Sequence, residues 1–132
     1  MANLDYTELV IDHFQNPRNV GIMEDPDGAG KVGSPVCGDM IEFQIKVQDE
    51  RIVDVRYRTF GCGAAIASSS MASEMVKGMA LTEALQLSNE DVAAALGGLP
   101  GQKLHCSNLA ADALHAAIDD YRKRHNGHGD GR

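Results

Sequence analysis

The chain has 132 residues, 43% of them hydrophobic and 23% charged, which suits one compact domain burying roughly two-thirds of its extended surface and excludes wholesale disorder and fibrous repeats. Its net charge of -7, from 12 Lys and Arg against 19 Asp and Glu, comes with only 5% aromatics and no Trp, so cations for phosphate and rings for stacked bases are both scarce and nucleic acid is not an expected partner. No run approaches the roughly 18 apolar residues of a membrane span, and Asp5, Glu8 and Asp12 stand where a secretion signal would be basic and then apolar; no membrane association is expected, and the expected compartment is the cytoplasm.

From Asp5 to Gln15, the residues Tyr6, Leu9, Val10, His13 and Phe14 recur at the spacing of one helical face, and Asn16-Pro17 stops that helix. Gly21, Pro26, Gly28, Gly30 and Gly33 then mark a loop that leads into a short edge strand. Ile41, Phe43, Ile45 and Val47 alternate with Glu42, Gln44, Lys46 and Gln48, giving a strand with one buried face. After Asp49-Glu50-Arg51, Val53, Val55 and Tyr57 alternate with Asp54, Arg56 and Arg58, so the two strands pair as an antiparallel hairpin.

Beyond Gly63 the pattern turns helical. Ala64 to Lys77 forms a helix rich in Ala, Ser and Met that ends at Gly78, and Thr82 to Leu87 forms a short one. Ser88 and Asp91 make a capping box ahead of Val92 to Leu96, which Gly97-Gly98 terminates. A last helix from Asn108 to Arg124 carries Leu109, Ala113, Leu114, Ala117, Ile118 and Tyr121 on its apolar face and basic residues in its final turn. Residues 125–132 read as a frayed tail. The expected fold is α+β: a single domain over 1–132 with a small three-stranded antiparallel sheet and helices packed on one face.

The three cysteines share a context. Cys37-Gly38-Asp39 precedes the long strand, Gly61-Cys62-Gly63 joins strand to helix, and His105-Cys106-Ser107 precedes the last helix. Neighbouring glycines remove Cβ crowding and free amide groups to face sulfur. A helix start just after Cys62 and Cys106 stabilises thiolate, the form that binds metal and attacks sulfur. Taken singly, each cysteine also reads as a small buried hydrophobe, but packing cysteines belong on apolar faces rather than in turns. A structural zinc site is a further reading, although such sites favour close Cys-x-x-Cys pairs and these separations are 25 and 44 residues. Ser68-Ser69-Ser70 has no base nearby in sequence and suits close helix packing rather than nucleophilic chemistry. His125 and His128 belong to the solvated tail.

Four ordered blocks make the resemblance specific. They are Tyr6 with His13-Phe14-Gln15-Asn16-Pro17-Arg18-Asn19 and Gly21; Gly33-Ser34-Pro35-Val36-Cys37-Gly38-Asp39; Thr59-Phe60-Gly61-Cys62-Gly63 running on to Ser70; and Leu104-His105-Cys106-Ser107. From about Asp5 to Arg124 the chain resembles the IscU family of iron–sulfur cluster assembly scaffolds, also found as the N-terminal domain of NifU-type proteins. The resemblance implies a stand-alone, non-enzymatic scaffold that builds a [2Fe–2S] cluster from iron and desulfurase-derived sulfur and passes it to apo acceptor proteins. It implies Cys37, Cys62 and Cys106 as cluster ligands, with Asp39 or His105 near the fourth position. Soft thiolates suit such clusters.

Cys106, beside His105 at a helix start, is the expected sulfur acceptor. A cysteine desulfurase and apo iron–sulfur proteins are the expected partners, and a homodimer is one working form left open. The alternative is a zinc-binding sulfur acceptor that stimulates the desulfurase, and zinc in the cluster-free form fits the same ligands. Where related bacterial scaffolds carry Leu-Pro-Pro-Val-Lys for an Hsp70-type chaperone, this chain has Leu99-Pro100-Gly101-Gln102-Lys103. Leu99, Pro100 and Lys103 keep part of the contact, but the second Pro and the Val are gone, so that chaperone is a doubtful partner. The short interval between Cys62 and Cys106, together with His105, separates the chain from SufU-like zinc proteins.

Overall fold

A computed structural model describes residues 7–34, 39–61, 63–98 and 109–126. Strand β2 (Asp39–Gln48) is set by its alternation, because Ile41, Phe43 and Ile45 are fully buried while Glu42, Gln44 and Lys46 point to the opposite face. β3 (Arg51–Phe60) returns antiparallel through a tight turn in which Asp49 and Glu50 take φ of 54° and 63°, the left-handed pair that matches the twist of a hairpin. Phe43 and Tyr57 face each other across it, their rings stacked with centroids 5.7 Å apart. A bulge between Lys46 and Val47 lets two residues of β3 oppose one of β2. β1 (Gly28–Ser34) pairs along the other edge of β2, giving the order β1-β2-β3.

The expected architecture is present: three antiparallel strands in one sheet with helices on its apolar face. β1, at seven residues, is longer than the short edge strand expected from a glycine-rich stretch. Its ladder with β2 and the close packing described below supply what its strand propensity lacks.

The open edge of β3 is covered piecemeal. Near its start, Ile52 N–H donates to Met79 at 2.9 Å and Gly78 N–H donates to Ile52 at 2.7 Å. Further along, the segment leaving the first helix lies beside Tyr57, whose N–H donates to Asn19 at 3.1 Å and whose carbonyl accepts from Gly21 at 2.9 Å. Between these, Asp54 Oδ1 accepts from Val55 N–H, and Arg56 Nη1 donates to the Val55 carbonyl, each at 2.9 Å. Side chains of the strand itself thus occupy groups that would otherwise recruit another strand.

α1 (Glu8–Gln15) is capped by Thr7, whose hydroxyl accepts from Val10 N–H at 3.1 Å and donates to the Leu96 carbonyl. Only part of its expected face is covered: Val10 and His13 are buried, whereas Leu9 and Phe14 are 46% and 47% exposed. α2 (Gly63–Val76) is the central helix, with Ala64, Ala65, Ala67, Ser68, Ser69, Ser70, Ala72, Ser73 and Val76 all buried. A helix enclosed on nearly all sides needs small residues, which explains the serine triplet without invoking a nucleophile. α3 (Leu81–Leu85) and α4 (Asn89–Ala95) follow, α4 with the expected capping box of Ser88 and Asp91. α5 (Ala110–Asn126) buries Ala113, Leu114, Ala117 and Ile118 against the sheet and continues two residues past Arg124, where the expected helix ended. No helix among the described residues is long and apolar enough to cross a membrane.

Candidate metal centre

The cysteines Cys37, Cys62 and Cys106 lie outside the described residues, as do His105 and the Leu99, Pro100 and Lys103 of the expected chaperone contact. Asp39 is described in its backbone only. The elements that bracket them carry the geometry. Ser34 and Asp39 are register partners at the open end of β1 and β2, so the segment holding Cys37 is closed off by a strand pair. Met40, next to Asp39, is the partner of Phe60, the last residue of β3. β3 therefore delivers the chain toward Cys62 at that same end, and α2 starts there at Gly63.

The fifth element, α5, is placed by packing. Gly30 lies against the α5 backbone at Ala113 to Ala117, and Gly28 lies against Ala117 and Tyr121. β1 thus runs opposite to α5, so the start of α5 and the end of β1 share one end of the domain. The segment 99–108, with His105 and Cys106, rejoins the described chain at Leu109 just before that start. Among the described residues no group of His, Cys, Asp and Glu has metal-holding geometry.

A buried polar clasp docks α1 and the Asn16–Gly21 segment on α2. His13 Nδ1 lies 2.7 Å from Ser70 Oγ, and the same oxygen accepts from Arg18 N–H at 3.0 Å. Asn19 Nδ2 donates to Ser73 Oγ and to Glu74 Oε2, both at 2.9 Å, and Arg18 Nη2 pairs with Asp12 Oδ2 at 2.9 Å. Burial, reinforced by the Arg18 charge, holds the His13 pKa below the ordinary histidine value despite Asp12 and Glu74. With the ring neutral, the direction of the His13 Nδ1–Ser70 Oγ hydrogen bond is set by the imidazole tautomer. The Tyr57 hydroxyl, fully buried close by, lies near Ser70 but makes no well-formed hydrogen bond among the described residues. Its burial pushes its pKa up to about 12, a rise tempered by nearby Ser70 and Arg18. The His13-to-Asn19 block noted in the sequence is this clasp. Ser70, its receiving group, was legible only as a packing residue.

Two exposed aromatics flank the end where the brackets meet. A Cβ at Gly63 would sit 3.2 Å from Phe14 Cδ1, so the Phe14 ring lies over the first residue of α2, and Phe60, two residues before Cys62, is 63% exposed. Periodicity had assigned Phe14 to a buried face. Its place over Gly63 rather than in the core leaves an apolar rim beside the candidate centre.

The sequence model of the NifU-like N terminal domain matches residues 5–128. The chain belongs to that family. Among its curated relatives, the iron–sulfur cluster assembly scaffold protein IscU 1 of Archaeoglobus fulgidus is 62% identical over 119 residues, covering 90% of this chain and 78% of that protein. The IscU scaffold protein of Escherichia coli K12 is 54% identical over 123 residues, covering 90% and 95%. Among solved structures, a nitrogen-fixing NifU-like N-terminal protein from Brucella abortus superposes with a TM-score of 0.75 at 21% identity, covering 93% of this chain and 98% of that one. A putative SUF-system scaffold from Fervidobacterium islandicum superposes with a TM-score of 0.73 at 18% identity, covering 89% and 99%. At those identities the NifU-family chain shares the fold with both structures, and the sequence relatives carry the family.

Proposed function

We propose that this chain is a non-enzymatic scaffold on which a [2Fe–2S] cluster is assembled before transfer to apo acceptor proteins. The supporting observation is that the ends of β1, β2, β3, α2 and α5 that bracket Cys37, Cys62 and Cys106 converge on one end of the domain. Three soft thiolates suit iron and sulfide, and Asp39 or His105 completes the set with a harder, more exchangeable donor. An incompletely cysteinyl site binds its cargo firmly enough to build it and loosely enough to release it.

Sulfur arrives by exchange. The Cys106 thiolate attacks the terminal sulfur of a desulfurase persulfide, a new S–S bond forms on Cys106, and the desulfurase cysteine leaves as thiolate. Reduction of that sulfur to sulfide takes two electrons from an external donor. The apolar rim of Phe14 and Phe60 suits contact with protein partners at this end.

Anaerobic incubation with ferrous iron, cysteine, a reductant and a cysteine desulfurase is the test. The expected result is a visible sulfide-to-iron charge-transfer spectrum on this chain, early persulfide on Cys106, and loss of the colour to an added apo-ferredoxin. A colourless protein that holds one zinc and merely accelerates the desulfurase would establish the zinc-dependent sulfur acceptor instead. Persulfide confined to Cys37 would reassign the acceptor.

A further inference from the structure

β1 and α5 approach more closely than side chains permit. A Cβ at Gly30 would lie 2.3 Å from Ala117 N and 2.6 Å from the Ala113 carbonyl oxygen. One at Gly28 would lie 2.3 Å from the Ala117 carbonyl oxygen and 2.9 Å from Tyr121 Cβ. Most of these obstacles are helix backbone, which no rotamer change relieves. The contact is also pinned in register: Asp120 Oδ2 accepts from Ala29 N–H at 2.9 Å, between the two glycines, and Arg124 Nη2 pairs with the same Asp120 oxygen at 2.9 Å. Arg124 Nη1 donates in turn to the Pro26 carbonyl at 3.2 Å.

The two clamped elements lead to different cysteines. β1 ends at Ser34, three residues before Cys37, and α5 begins at Ala110, four residues after Cys106. We propose that Gly28 and Gly30, with Asp120, are positioning residues that set the separation between the Cys37 and Cys106 segments, and so the geometry of the metal centre. The inference rests on the three-cysteine reading above.

The size of the effect follows from the contact. Restoring ordinary van der Waals distance at Gly30→Ala would require β1 and α5 to part by about 1 Å, several times the roughly 0.2 Å tolerance of metal–ligand bonds. Such a displacement reaches a centre only if the segments after Ser34 and before Ala110 transmit it, and that transmission is what the experiment reads.

The probe is cobalt(II), titrated into the cluster-free protein, with the thiolate-to-cobalt charge-transfer band and the affinity as readouts. Neither depends on cluster assembly or on a desulfurase. Gly30→Ala that retains its helical circular dichroism is expected to bind cobalt roughly ten-fold or more weakly, with a weaker charge-transfer band per bound cobalt. Lys31→Ala, on the exposed side of the same strand, is expected to match wild type. Asp120→Ala, which removes the pin without adding an obstacle, is expected to give a smaller loss of the same kind. It decides the matter if Gly30→Ala does not fold. Folded Gly30→Ala, or Asp120→Ala in its place, with wild-type affinity and band would overturn the clamp alone. A wild-type protein without any thiolate-to-cobalt band would overturn the cysteine centre and the clamp together, so the two failures are told apart.

Discussion

Replacing Ser70 with Ala removes one buried oxygen and strands two partners. Ser70 Oγ receives Arg18 N–H at 3.0 Å and meets His13 Nδ1 at 2.7 Å, and both sit where α1 and its following segment press on α2. A buried polar group left without its partner costs about 1 to 3 kcal/mol. Two such groups, offset by about half a kcal/mol because Ala is the better helix former, give a net loss of about 1.5 to 5.5 kcal/mol. Against a total stability of about 5 to 15 kcal/mol that loss is large, and for a chain of this length it lowers Tm by roughly 5 to 20 °C.

Urea and thermal unfolding of the metal-free protein measure it, and hydrogen exchange locates it. The α1 amides should lose protection first, because Val10 is the only apolar residue of α1 that is buried. A double-mutant cycle with His13→Ala should return a coupling of about 1 kcal/mol. A loss below about 0.5 kcal/mol, or additive single effects, would show that Ser70 does not fasten this segment and that the clasp has been misread.

The remaining predictions concern titration and release. Because burial holds the His13 pKa below its unfolded value, the unfolded chain takes up the proton first on acidification; stability is fully present above about pH 6.5 and falls as pH drops below it, and pH-dependent unfolding of His13→Gln should show a shallower fall. Tyr57→Phe should leave neutral-pH stability within about 0.5 kcal/mol of wild type or above it, since the lost hydroxyl makes no well-formed hydrogen bond among the described residues. It should also reduce the wild-type loss of stability as pH rises from 10 through about 12, because Tyr57 folds as the neutral phenol, while Tyr121, whose pKa burial also raises, keeps part of that loss. Asp39→Ala should lengthen cluster lifetime and slow transfer to apo-ferredoxin, because a hard carboxylate exchanges with an incoming thiolate more readily than a cysteine does; faster cluster loss with unimpaired transfer would instead make Asp39 a turn cap.

Much of the fold was legible because its strongest signals are local. The alternation through Ile41, Phe43 and Ile45 dictates β2 whatever surrounds it, and Ser88 with Asp91 announces α4 through hydrogen bonds within one turn. β1 was harder to read because Gly28 and Gly30 are poor strand formers locally and are explained only by the α5 backbone pressed on them. The pattern that could have pointed there is the pairing of Gly-x-Gly in a strand with Ala113 and Ala117, one helical turn apart. Phe14 misled for the opposite reason, since its spacing is helical but its ring serves Gly63 and the rim rather than the core. The cysteines were singled out by their turn context and lie outside the described residues. That their bracketing elements share one end of the domain depends on strand register and on the antiparallel run of β1 and α5, which no local pattern states.

The most direct test of the central claim is the iron and acid-labile sulfide content of anaerobically reconstituted wild-type protein beside Cys37→Ser, Cys62→Ser and Cys106→Ser. Equal amounts of iron and sulfide in wild type, with loss of both in each folded Ser variant, are predicted, because a mostly protonated hydroxyl is a poor substitute for thiolate at a soft centre. A Ser variant that kept the full wild-type iron and sulfide would contradict the claim that the three cysteines serve one centre.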